Sequence, residues 1–581
     1  MTRPPNVVFV ITDDQGYGDL ACHGNPVIRT PNLDRMHAES VRFTNYHVGP
    51  TCAPTRAGLM TGHYANSAGV WHTIGGRSLL RRNEHSLANA FADNGYATGM
   101  FGKWHLGDTW PYRPQDRGFD EVVHHAGGGI GNTGDFWDNS YFDDSYWTGA
   151  EHTRYGGYCT DVWFREGMDF IDRHRDQPFF CYIPTNCPHL PLVVEPRFSN
   201  PYLDMTPHEE RALFYGMIAN IDENFGFLRR HLARLGLEDN TILIFMTDNG
   251  SATGCDLDAD GFVLNGFNAG MRGKKGQPYD GGHRVPFFVQ WPQAGIGGGR
   301  DVDVLASHID FMPTLVDLCG LEVPNGLDWD GRSLAPLLTD NAAAADWPDR
   351  TIVTDSQRLA YPVKWRQSAV MTDRWRLVNG MELHDMEVDP GQTTDMARLY
   401  PDVVRELRAE YDQWWRRVAG QMKNDIPFRI GDPDCGEVVL TSHDWRNLEV
   451  EAVWNQSMVR AGVRYNGYWE LDVAARGSYR IELRRWPREA NLPLCGAIPG
   501  ALRTYGDIAF GTGYGGGAAI DVRSAVVSVG GREQRREVAK SDVSARFELD
   551  LEPGPAHLQT CWETADGSDV GAYYVYLSKV D

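Results

Sequence analysis

Buried strands and amphipathic helices alternate along the first part of the chain. Apolar residues recur at helical spacing between positions 217 and 232, and Gly236 follows where a helix would end. The next segment, residues 241–246, is a continuous apolar run, and the polar pair Asp248 and Asn249 comes soon after it. A helix, a buried strand and a polar turn predict an α/β fold with a largely parallel sheet. In such sheets, ligands gather beyond the carboxyl ends of the strands.

The pattern changes twice towards the carboxyl terminus. Residues 346–430 predict a small α+β unit, with strands near 374–378 and 382–385 and an amphipathic helix over 401–418. After residue 430, short alternating segments are separated by Gly, Pro and Asp turns, which is typical of an antiparallel β-sandwich. The sequence therefore predicts three parts: an α/β domain over 1–345 that carries the catalytic candidates, the α+β subdomain over 346–430, and an accessory antiparallel β domain over 431–581.

Charge and composition restrict the partners. The 581-residue chain has 55 Lys and Arg against 78 Asp and Glu, a net charge of -23, so its field disfavours binding to nucleic acid or an anionic membrane. The first apolar run, residues 6–12, is short and leads into two aspartates, which indicates a buried strand rather than a signal peptide. No run reaches the roughly 18–20 apolar residues of a membrane span. The numbered chain is therefore predicted to be cytoplasmic, with mostly buried, reduced cysteines.

One segment of thirteen residues carries the most specific signal. It reads PTCAPTRAGLMTG and contains Cys52, Pro54 and Arg56 at Cys-x-Pro-x-Arg spacing. Over its whole length it resembles the first signature of the type I sulfatase family, the formylglycine-dependent, arylsulfatase-like members of the alkaline-phosphatase superfamily. The resemblance continues from residue 6 to about residue 420 and leaves out the accessory domain. It implies an alkaline-phosphatase-like fold, in which helices flank a mixed, mostly parallel sheet.

The resemblance implies that Cys52 is a precursor. In this family a formylglycine-generating enzyme oxidises such a cysteine to formylglycine, whose aldehyde hydrates to a geminal diol. One hydroxyl, acidified by a divalent cation, attacks sulfur and displaces the alcohol. The second hydroxyl then lets sulfate leave as the aldehyde re-forms. The implied activity is that of a sulfuric ester hydrolase, which cleaves sulfate monoesters of aryl alcohols or carbohydrates.

Four further basic residues match family motifs. Lys103 and His105 end the segment GYATGMFGKWH, which resembles the family's second signature. His189 lies in a Pro-His segment, and Lys275 lies in the block KKGQPYDGGH, in which Asp280 replaces the usual Glu. By resemblance, the two lysines contact the sulfate group and His105 binds the diol oxygen through which sulfate is eliminated. His189 polarises or protonates the leaving oxygen.

Two pairs of residues with side-chain oxygens predict a metal site, because each pair follows an apolar strand: Asp13 with Asp14, and Asp248 with Asn249. Oxygen donors suit Ca²⁺ or Mg²⁺ rather than zinc, and the family usually holds calcium, so we expect one Ca²⁺, with Mg²⁺ as the alternative. By resemblance, Arg56 holds Asp14, the diol and the surrounding loop through charge-assisted hydrogen bonds. The predicted ligands are Asp13, Asp14, Asp248, Asn249 and the modified Cys52.

Several alternatives stay open at the level of the sequence. A phosphonate monoester or phosphodiester hydrolase would share the fold and the formylglycine, and an inactive homologue would use the accessory domain for binding. The substrate is a small-molecule or saccharide sulfate ester, and the sequence does not decide between a monomer and a homo-oligomer. Some long side chains have two interpretations, as pocket walls or as packing: Trp110, Trp137, Tyr141 and Trp147. Others could contact an anionic substrate or lie on a solvated strand: Arg480, Arg484, Arg485 and Arg488.

Overall fold

The computed structural model describes residues 3–340, 342–447, 449, 452–500, 503–505, 508–510 and 515–580. Its largest element is a ten-stranded mixed sheet in the amino-terminal part. A four-stranded antiparallel sheet follows, and the carboxyl-terminal part consists mainly of two facing sheets. None of the described helices is both long and apolar enough to cross a membrane.

The amino-terminal part alternates strands and helices. Its strands are β1 (Asn6–Thr12), β2 (Val41–Phe43), β3 (Tyr46–His47), β4 (Ala97–Lys103), β5 (Glu121–His125), β6 (Ser145–Thr148), β7 (Glu151–Arg154), β8 (Phe179–Pro184), β9 (Thr241–Thr247), β10 (Phe287–Gln290), β11 (Arg300–Val302) and β12 (Ala306–Ser307). Its helices are α1 (Pro31–Glu39), α2 (Cys52–Thr61), α3 (Leu87–Asp93), α4 (Cys159–His174), α5 (Pro196–Ser199), α6 (Glu209–Leu235), α7 (Asp280–His283), α8 (Phe311–Cys319) and α9 (Ala335–Thr339).

The large sheet places five parallel strands side by side. Its order is β11-β2-β10-β9-β1-β8-β4-β5-β6-β7, and the run from β9 to β5 is parallel throughout. The pairs β10–β9 and β5–β6 are antiparallel, so the sheet is mixed. Because parallel strands end at the same edge, the loops after β9, β1, β8 and β4 lie next to one another. The predicted α/β fold with a mostly parallel sheet is confirmed.

The side chains of β1 show that helices cover both faces of the sheet. Val7, Phe9 and Ile11 belong to a core that includes apolar residues of α2, α3 and α8. Val8 and Val10 belong to a second core with α1, α4 and α6. Successive side chains of a strand point to opposite faces, so a strand between two helical layers has to be apolar at every position. The continuous apolar run in the sequence is the consequence.

Helix α6 and strand β9 form the unit that the sequence predicts most clearly. The helix covers Glu209–Leu235, about two turns longer at its start than the apolar periodicity indicates. Gly236 ends the helix in a left-handed conformation with φ of 67°, as expected of a glycine cap. β9 then runs to Thr247, and Asp248 is the first residue beyond the strand.

The carboxyl-terminal elements form two further groups. The small α+β group contains β13 (Ile352–Asp355), β14 (Ser368–Met371), β15 (Trp375–Val378), β16 (Glu382–Asp385) and α10 (Pro401–Ala419). The last group contains β17 (Phe428–Ile430), β18 (Val438–Thr441), α11 (Gln456–Ala461), β19 (Tyr468–Val473), β20 (Gly477–Arg484), β21 (Arg503–Tyr505), β22 (Ile508–Phe510), β23 (Val522–Val529), β24 (Arg532–Glu537), β25 (Ala545–Leu551), β26 (Gly554–Thr564), β27 (Asp569–Val570) and β28 (Tyr574–Lys579).

Two sheets of the last group share one apolar core, as in a sandwich. Their orders are β17-β19-β26-β23-β24, with β27 beside β26, and β18-β28-β20-β25. Strand β17, which the sequence assigns to the α+β subdomain, pairs with β19 and so joins the sandwich sheet. The pairing is parallel, in contrast to the antiparallel pairing expected throughout this domain. The other domain limits stay a prediction.

The four sandwich arginines take up structural roles. Arg484 and Arg485 are buried, which contradicts the solvated strand face expected as one interpretation. Arg484 donates to Glu482 at 2.8 Å, and Arg485 donates to the carbonyl oxygen of Leu494 at 3.2 Å. Arg488 also pairs with Glu482, and Arg480 lies near Glu548. Carboxylates or backbone carbonyls thus bind all four guanidinium groups, and Arg480, whose side chain is 51% exposed, fits the solvated strand face.

Gly102 fixes the approach of β4 to β8, immediately before Lys103. Its φ is 133°, and a Cβ at this position would overlap the carbonyl oxygen of Pro184 in the neighbouring strand. Gly95 also has a positive φ, 77°, but a Cβ there would meet no atom within 4 Å. Alanine at position 95 would therefore cost backbone strain alone, whereas alanine at position 102 would cost both backbone strain and steric overlap.

We expect Gly102→Ala to lower the melting temperature much more than Gly95→Ala. The control substitution should cost about 1–2 kcal/mol, because only the left-handed conformation of an L-residue is penalised. Gly102→Ala should cost several kcal/mol, since β4 must also move away from β8. Differential scanning calorimetry of both variants checks this. Equal melting temperatures would show that the strands adjust to a methyl group without strain.

Candidate active site

The candidate residues converge at the edge where the four central parallel strands end. Asp13 and Asp14 follow β1, and Asp248 and Asn249 follow β9. Lys103 ends β4, and His189 lies in the loop after β8, while Cys52 is the first residue of α2. A cavity of about 260 Å³ opens here, and its walls are formed by Cys52, His72, Thr73, Ile74, His105, Gly128, Asn132, His189, Lys275, Arg358 and Trp454.

Three carboxylates form the centre of the site. Carboxylate oxygens of Asp13, Asp14 and Asp248 lie within 4.8 Å of one another, and all three side chains are buried. Each carboxylate has one basic partner: Lys103 Nζ lies 2.6 Å from Asp13 Oδ2, Arg56 Nη2 lies 2.9 Å from Asp248 Oδ2, and Lys275 pairs with Asp14. A buried charge without a partner is strongly destabilising. These pairs therefore hold the segments that carry Lys103, Arg56 and Lys275 against the ends of β1 and β9.

Arg56 contacts a different aspartate from the one expected. The sequence-based expectation pairs it with Asp14, but its Nε and Nη2 both donate to Asp248 Oδ2, at 3.2 and 2.9 Å. Its Nη1 donates to the carbonyl oxygen of Lys103 at 2.9 Å. Arg56 lies one turn into α2 and reaches the end of β9, while Lys275 occupies Asp14. Arg56 therefore positions the strand ends β9 and β4 relative to α2.

The pKa values of the aspartates reflect this crowding. Burial, followed by the nearby charge of Asp13, raises the pKa of Asp248 to about 7. Asp14 is equally buried, which by itself would raise its pKa, but Lys275 and His189 hold the pKa of this carboxyl well below its usual range. The three carboxylates thus repel one another even with their basic partners in place. An additional positive charge among them would be favourable.

The donor set fits a divalent cation. Asp13 Oδ1 and Asn249 Oδ1 are buried and have no hydrogen-bond partner. A buried polar atom without a partner is costly, and in both cases the atom is an oxygen in a cluster that already holds three carboxylates. Hard oxygen ligands of this kind suit Ca²⁺ or Mg²⁺. Asp13, Asp14, Asp248 and Asn249 would hold the ion.

Cys52 lies at the amino-terminal end of α2, directly beside this cluster. Its Sγ is 3.8 Å from Asp14 Oδ1 and 3.8 Å from Asn249 Nδ2. A ring nitrogen of His189 lies within 4.8 Å of the same sulfur. Burial, together with the charge of Asp13, raises the pKa of the Cys52 thiol to about 12. The encoded thiol is therefore protonated at neutral pH in these surroundings and is a weak nucleophile.

Two histidines face the cavity, and each uses one ring nitrogen to bind a backbone carbonyl. His105 Nε2 donates to Thr73 O at 2.9 Å, which leaves a buried Nδ1 without a hydrogen-bond partner. His189 Nδ1 donates to Leu190 O at 2.9 Å, and its Nε2 lies 3.7 Å from Asp14 Oδ2. Burial lowers the pKa of His105 well below its usual value and that of His189 to about 4. Both rings are neutral near pH 7 with one nitrogen available.

The lysine predicted for the sulfate faces the site. Lys275 lines the cavity and pairs with Asp14, whereas Lys274 donates to the carbonyl oxygen of Cys255 at 2.6 Å. Asp280, the aspartate in place of the usual glutamate, is buried and binds Arg376 at 3.2 Å. The substitution thus keeps a carboxylate in an ion pair behind the site. The backbone is strained nearby, because Asp14 and His105 have φ values of 66° and 62°.

The aromatic residues suggested as pocket walls do not line the cavity. Trp137 packs in the sandwich core against Trp486, and Tyr141 donates to the carbonyl oxygens of His189 and Leu190. Trp110 contacts the same sandwich core, and the ring of Trp147 packs against His152. Their packing role is therefore the one observed.

The cavity walls that the sequence does not indicate come from four segments. His72 and its neighbours follow α2, Gly128 and Asn132 follow β5, Arg358 follows β13, and Trp454 precedes α11. These residues lie far apart in the chain and in no recognisable motif. The only local signal is that Trp454 is a tryptophan next to a helix-capping asparagine, Asn455, rather than in an apolar segment.

The fold and the site together define a class: a protein of the α/β type with a buried acidic cluster, suited to a divalent cation, at the edge of a parallel sheet. The family described as sulfatase matches residues 5–321, more than half of the chain. A second family, described as N-sulphoglucosamine sulphohydrolase, C-terminal, matches residues 274–415.

Individual relatives agree with this class. Human arylsulfatase A is 31% identical over 369 residues, which cover 58% of this chain and 68% of that protein. Human N-acetylgalactosamine-6-sulfatase is 30% identical over 364 residues, covering 58% of this chain and 66% of that protein. The crystal structure of Ps i-CgsB in complex with k-i-k-neocarrahexaose has a TM-score of 0.62 and 26% identity, and the match covers 71% of this chain and 93% of that one.

The chain belongs to the sulfatase family. It is a sulfuric ester hydrolase, as the sequence motifs predict. The family in general uses a divalent metal ion and a formylglycine. The relatives are matched over about two thirds of their length, and the sandwich after residue 430 lies outside both family matches.

We expect chelation of the cation to lower the melting temperature. A ligand that binds only the folded state stabilises it by about 2.7 kcal/mol at one hundred times its Kd. Dialysis against EDTA should therefore lower the melting temperature by several degrees, and added Ca²⁺ should restore it. Calorimetry with Ca²⁺ and with Mg²⁺ measures the preference between them.

A pair of asparagine variants gives the control for this measurement. Asn249 and Asn268 are both buried, and the Oδ1 of each has no hydrogen-bond partner. Asn249→Ala should reduce the response to Ca²⁺, whereas Asn268→Ala should lower stability but keep that response. If both variants respond to Ca²⁺ like the unaltered protein, Asn249 is not a ligand.

Proposed function

We propose that this chain hydrolyses sulfate monoesters of saccharides through a formylglycine made from Cys52. The observation that carries the proposal is the position of Cys52 Sγ, 3.8 Å from both Asp14 Oδ1 and Asn249 Nδ2 at the buried acidic cluster. In the encoded protein this sulfur stands where the oxygens of the formylglycine hydrate would be. The hydrate supplies the nucleophile, and a bound Ca²⁺ would supply the positive charge that acidifies it.

The basic residues bind and orient the sulfate group. Lys103 Nζ and Lys275 Nζ both act on Cys52 electrostatically, and both are held by carboxylates of the cluster. Two ammonium groups near the nucleophile neutralise the charge that builds up on the sulfate oxygens in the transition state. Because the ammonium groups are fixed before substrate binds, little reorganisation is needed during the reaction.

The two histidines handle protons on opposite sides of sulfur. His105 has a free Nδ1, held in place by the bond from Nε2 to Thr73 O, and accepts a proton from the hydroxyl through which sulfate is eliminated. His189 faces the site with Nε2; the ring is neutral in the free protein, and the negative charge of the bound sulfate ester favours its protonated form, in which Nε2 donates to the leaving oxygen. The fixed backbone partners decide which nitrogen of each ring is available.

The saccharide portion of the proposal rests on the relatives and on the cavity. One relative is named for an N-acetylgalactosamine sulfate, and one similar structure holds a neocarrahexaose. The cavity combines an exposed tryptophan with polar side chains, a combination suited to a sugar ring. We expect turnover of sulfated monosaccharides as well as of synthetic aryl sulfates.

The experiment that tests the function follows the chemistry of position 52. Protein from a host with the maturing enzyme should have a mass lower by about 18 Da than the encoded chain, because formylglycine replaces cysteine. It should hydrolyse 4-nitrophenyl sulfate, and Cys52→Ala should abolish this activity. Cys435→Ala, another buried cysteine, should keep both the mass change and the activity. Turnover by Cys52→Ala at the unaltered rate would falsify the proposal.

If His189 protonates the leaving oxygen, the loss of activity in His189→Ala should depend on the leaving group. 4-Nitrophenolate leaves readily without a proton, whereas a sugar alkoxide does not. His189→Ala should therefore lower kcat/KM about 10²- to 10⁴-fold for a saccharide sulfate, the usual contribution of a general acid, and much less for 4-nitrophenyl sulfate.

His105→Ala is the matched control for this prediction. It removes the base at the sulfate side of the site, so the two substrates should lose activity to a similar extent. An equal loss for both substrates in His189→Ala would place His189 outside the proton transfer to the leaving group.

A further inference from the structure

The last domain is bound to the loop that forms one wall of the active site. Thr133 N donates to Trp454 O at 2.9 Å, and Thr133 Oγ1 donates to Val453 O at 2.6 Å. Gln456 N donates to Gly131 O at 3.0 Å, and Gln456 Nε2 donates to Asn132 O at 3.2 Å. Residues 453–456 therefore lie along residues 131–133 like a short added strand, and their backbone position is fixed.

The same loop contacts both catalytic histidines. A Cβ on Gly128 would lie 2.5 Å from Cε1 of His105, and one on Gly129 would lie 3.5 Å from Nδ1 of His189. Glycine at position 128 thus allows the backbone to pass directly over His105. Because the segment 453–456 holds this loop, the sandwich domain reaches the edge of the reacting centre.

Trp454 projects into the cavity from this fixed backbone. Its side chain lines the cavity wall and remains 40% exposed, although tryptophan is usually well buried. Its backbone is held by Thr133, so the exposed ring projects from a fixed position of the backbone. A pyranose ring carries C–H groups on one face, and these pack favourably on the electron-rich face of an indole.

Arg358 lines the same cavity. Among the described residues it forms no salt bridge, and its side chain is exposed. Its φ is 42°, an unfavourable conformation for an arginine that indicates a constrained position. His72 lines the same cavity, and burial and then the charge of Arg358 lower the pKa of His72 to about 3. In a protein of net charge -23, an unpaired arginine here favours an anion.

We propose that Trp454 and Arg358 form the subsite for the alcohol portion of the substrate, a pyranose ring that carries a second anionic group besides the sulfate ester. This inference rests on the proposed hydrolysis of sulfate monoesters. The cavity of about 260 Å³ is slightly smaller than the roughly 300–1,000 Å³ of typical small-molecule sites, so it takes a sulfate group and one ring. The sandwich domain is then a part of the active site that sets specificity.

The test uses competition, so that it does not depend on which sulfate is cleaved. Two monosaccharides are compared as inhibitors of 4-nitrophenyl sulfate hydrolysis: N-acetylglucosamine 6-sulfate and glucosamine 2-N,6-O-disulfate. They share the ring and the 6-sulfate ester, and the second carries an anionic N-sulfate group in place of the neutral N-acetyl group. Inorganic sulfate serves as a probe of the sulfate-binding centre alone.

Removal of the arginine should affect the doubly charged sugar. Arg358→Gln should raise the Ki of the disulfate about 10-fold, the effect of one partly exposed charge-assisted hydrogen bond, and that of the monosulfate less than about 2-fold. Arg358→Lys should recover part of the loss. Arg398→Gln removes an exposed arginine outside the cavity and should change neither Ki.

Removal of the indole should affect both sugars. Trp454→Ala should raise both Ki values about 3- to 10-fold, with less effect for Trp454→Phe, while the Ki of inorganic sulfate changes less than about 2-fold. Tyr465→Ala removes another exposed aromatic ring of the same domain, 38% exposed, and should have no such effect. Melting temperatures of all variants show whether they are folded.

The outcomes separate this inference from the proposed function. If the unaltered, mature protein does not hydrolyse 4-nitrophenyl sulfate, the proposed function itself fails. If it does, but Arg358→Gln changes both sugars equally or Trp454→Ala behaves like Tyr465→Ala, the subsite is wrong and the function stands. The subsite would also be wrong if these variants raised the Ki of inorganic sulfate as much as the Ki of the sugars. Arg358 and Trp454 would then act at the sulfate-binding centre.

Discussion

The site depends on three carboxylates that are buried together at one edge of the sheet. Asp13, Asp14 and Asp248 come from the ends of two adjacent strands, where parallel topology forces their side chains into contact. Burying such charges costs several kcal/mol each unless a partner offsets it. The partners come from three other places: Arg56 on α2, Lys103 at the end of β4, and Lys275 in the loop before α7. Each ion pair therefore fixes one separate segment at the reacting centre.

The charges of the cluster also account for the kind of ligand it accepts. Three aspartates and three basic groups balance, so a divalent cation leaves the centre with an excess of two positive charges. The single negative charge of a sulfate monoester offsets half of this excess, and this local effect acts against the net charge of -23 of the whole protein. Cation and sulfate thus support each other's binding, since each offsets the desolvation cost of the other. The two histidines are neutral in the free protein and are available for proton transfer once the substrate binds.

Sequence reasoning gives the strands and the residues at their ends, because both depend on local patterns. An apolar run such as β1 has to be buried on both faces, and polar residues directly after it have to lie at the sheet edge. The partner of Arg56 was predicted wrongly, because a sequence motif shows that Arg56 lies near the aspartates but not which of them its guanidinium contacts. Which aspartate the guanidinium contacts depends on the direction of α2 and on Lys275, which already occupies Asp14. Trp454 is beyond such reasoning, because its contact with residue 133 links positions over three hundred residues apart.

The link between the sandwich and the catalytic histidines follows from the glycines beside them. A backbone segment can pass over His105 only where side chains are absent, and Gly128 provides this space. A glycine-rich loop has a large conformational entropy when free, so it needs external contacts to keep one position. The hydrogen bonds from residues 453–456 supply those contacts. The domain that orders the wall of the pocket also contributes Trp454 to it. The candidate catalytic residues thus lie in the amino-terminal part of the chain, whereas the proposed subsite for the sugar combines two later segments, Arg358 after β13 and Trp454 before α11.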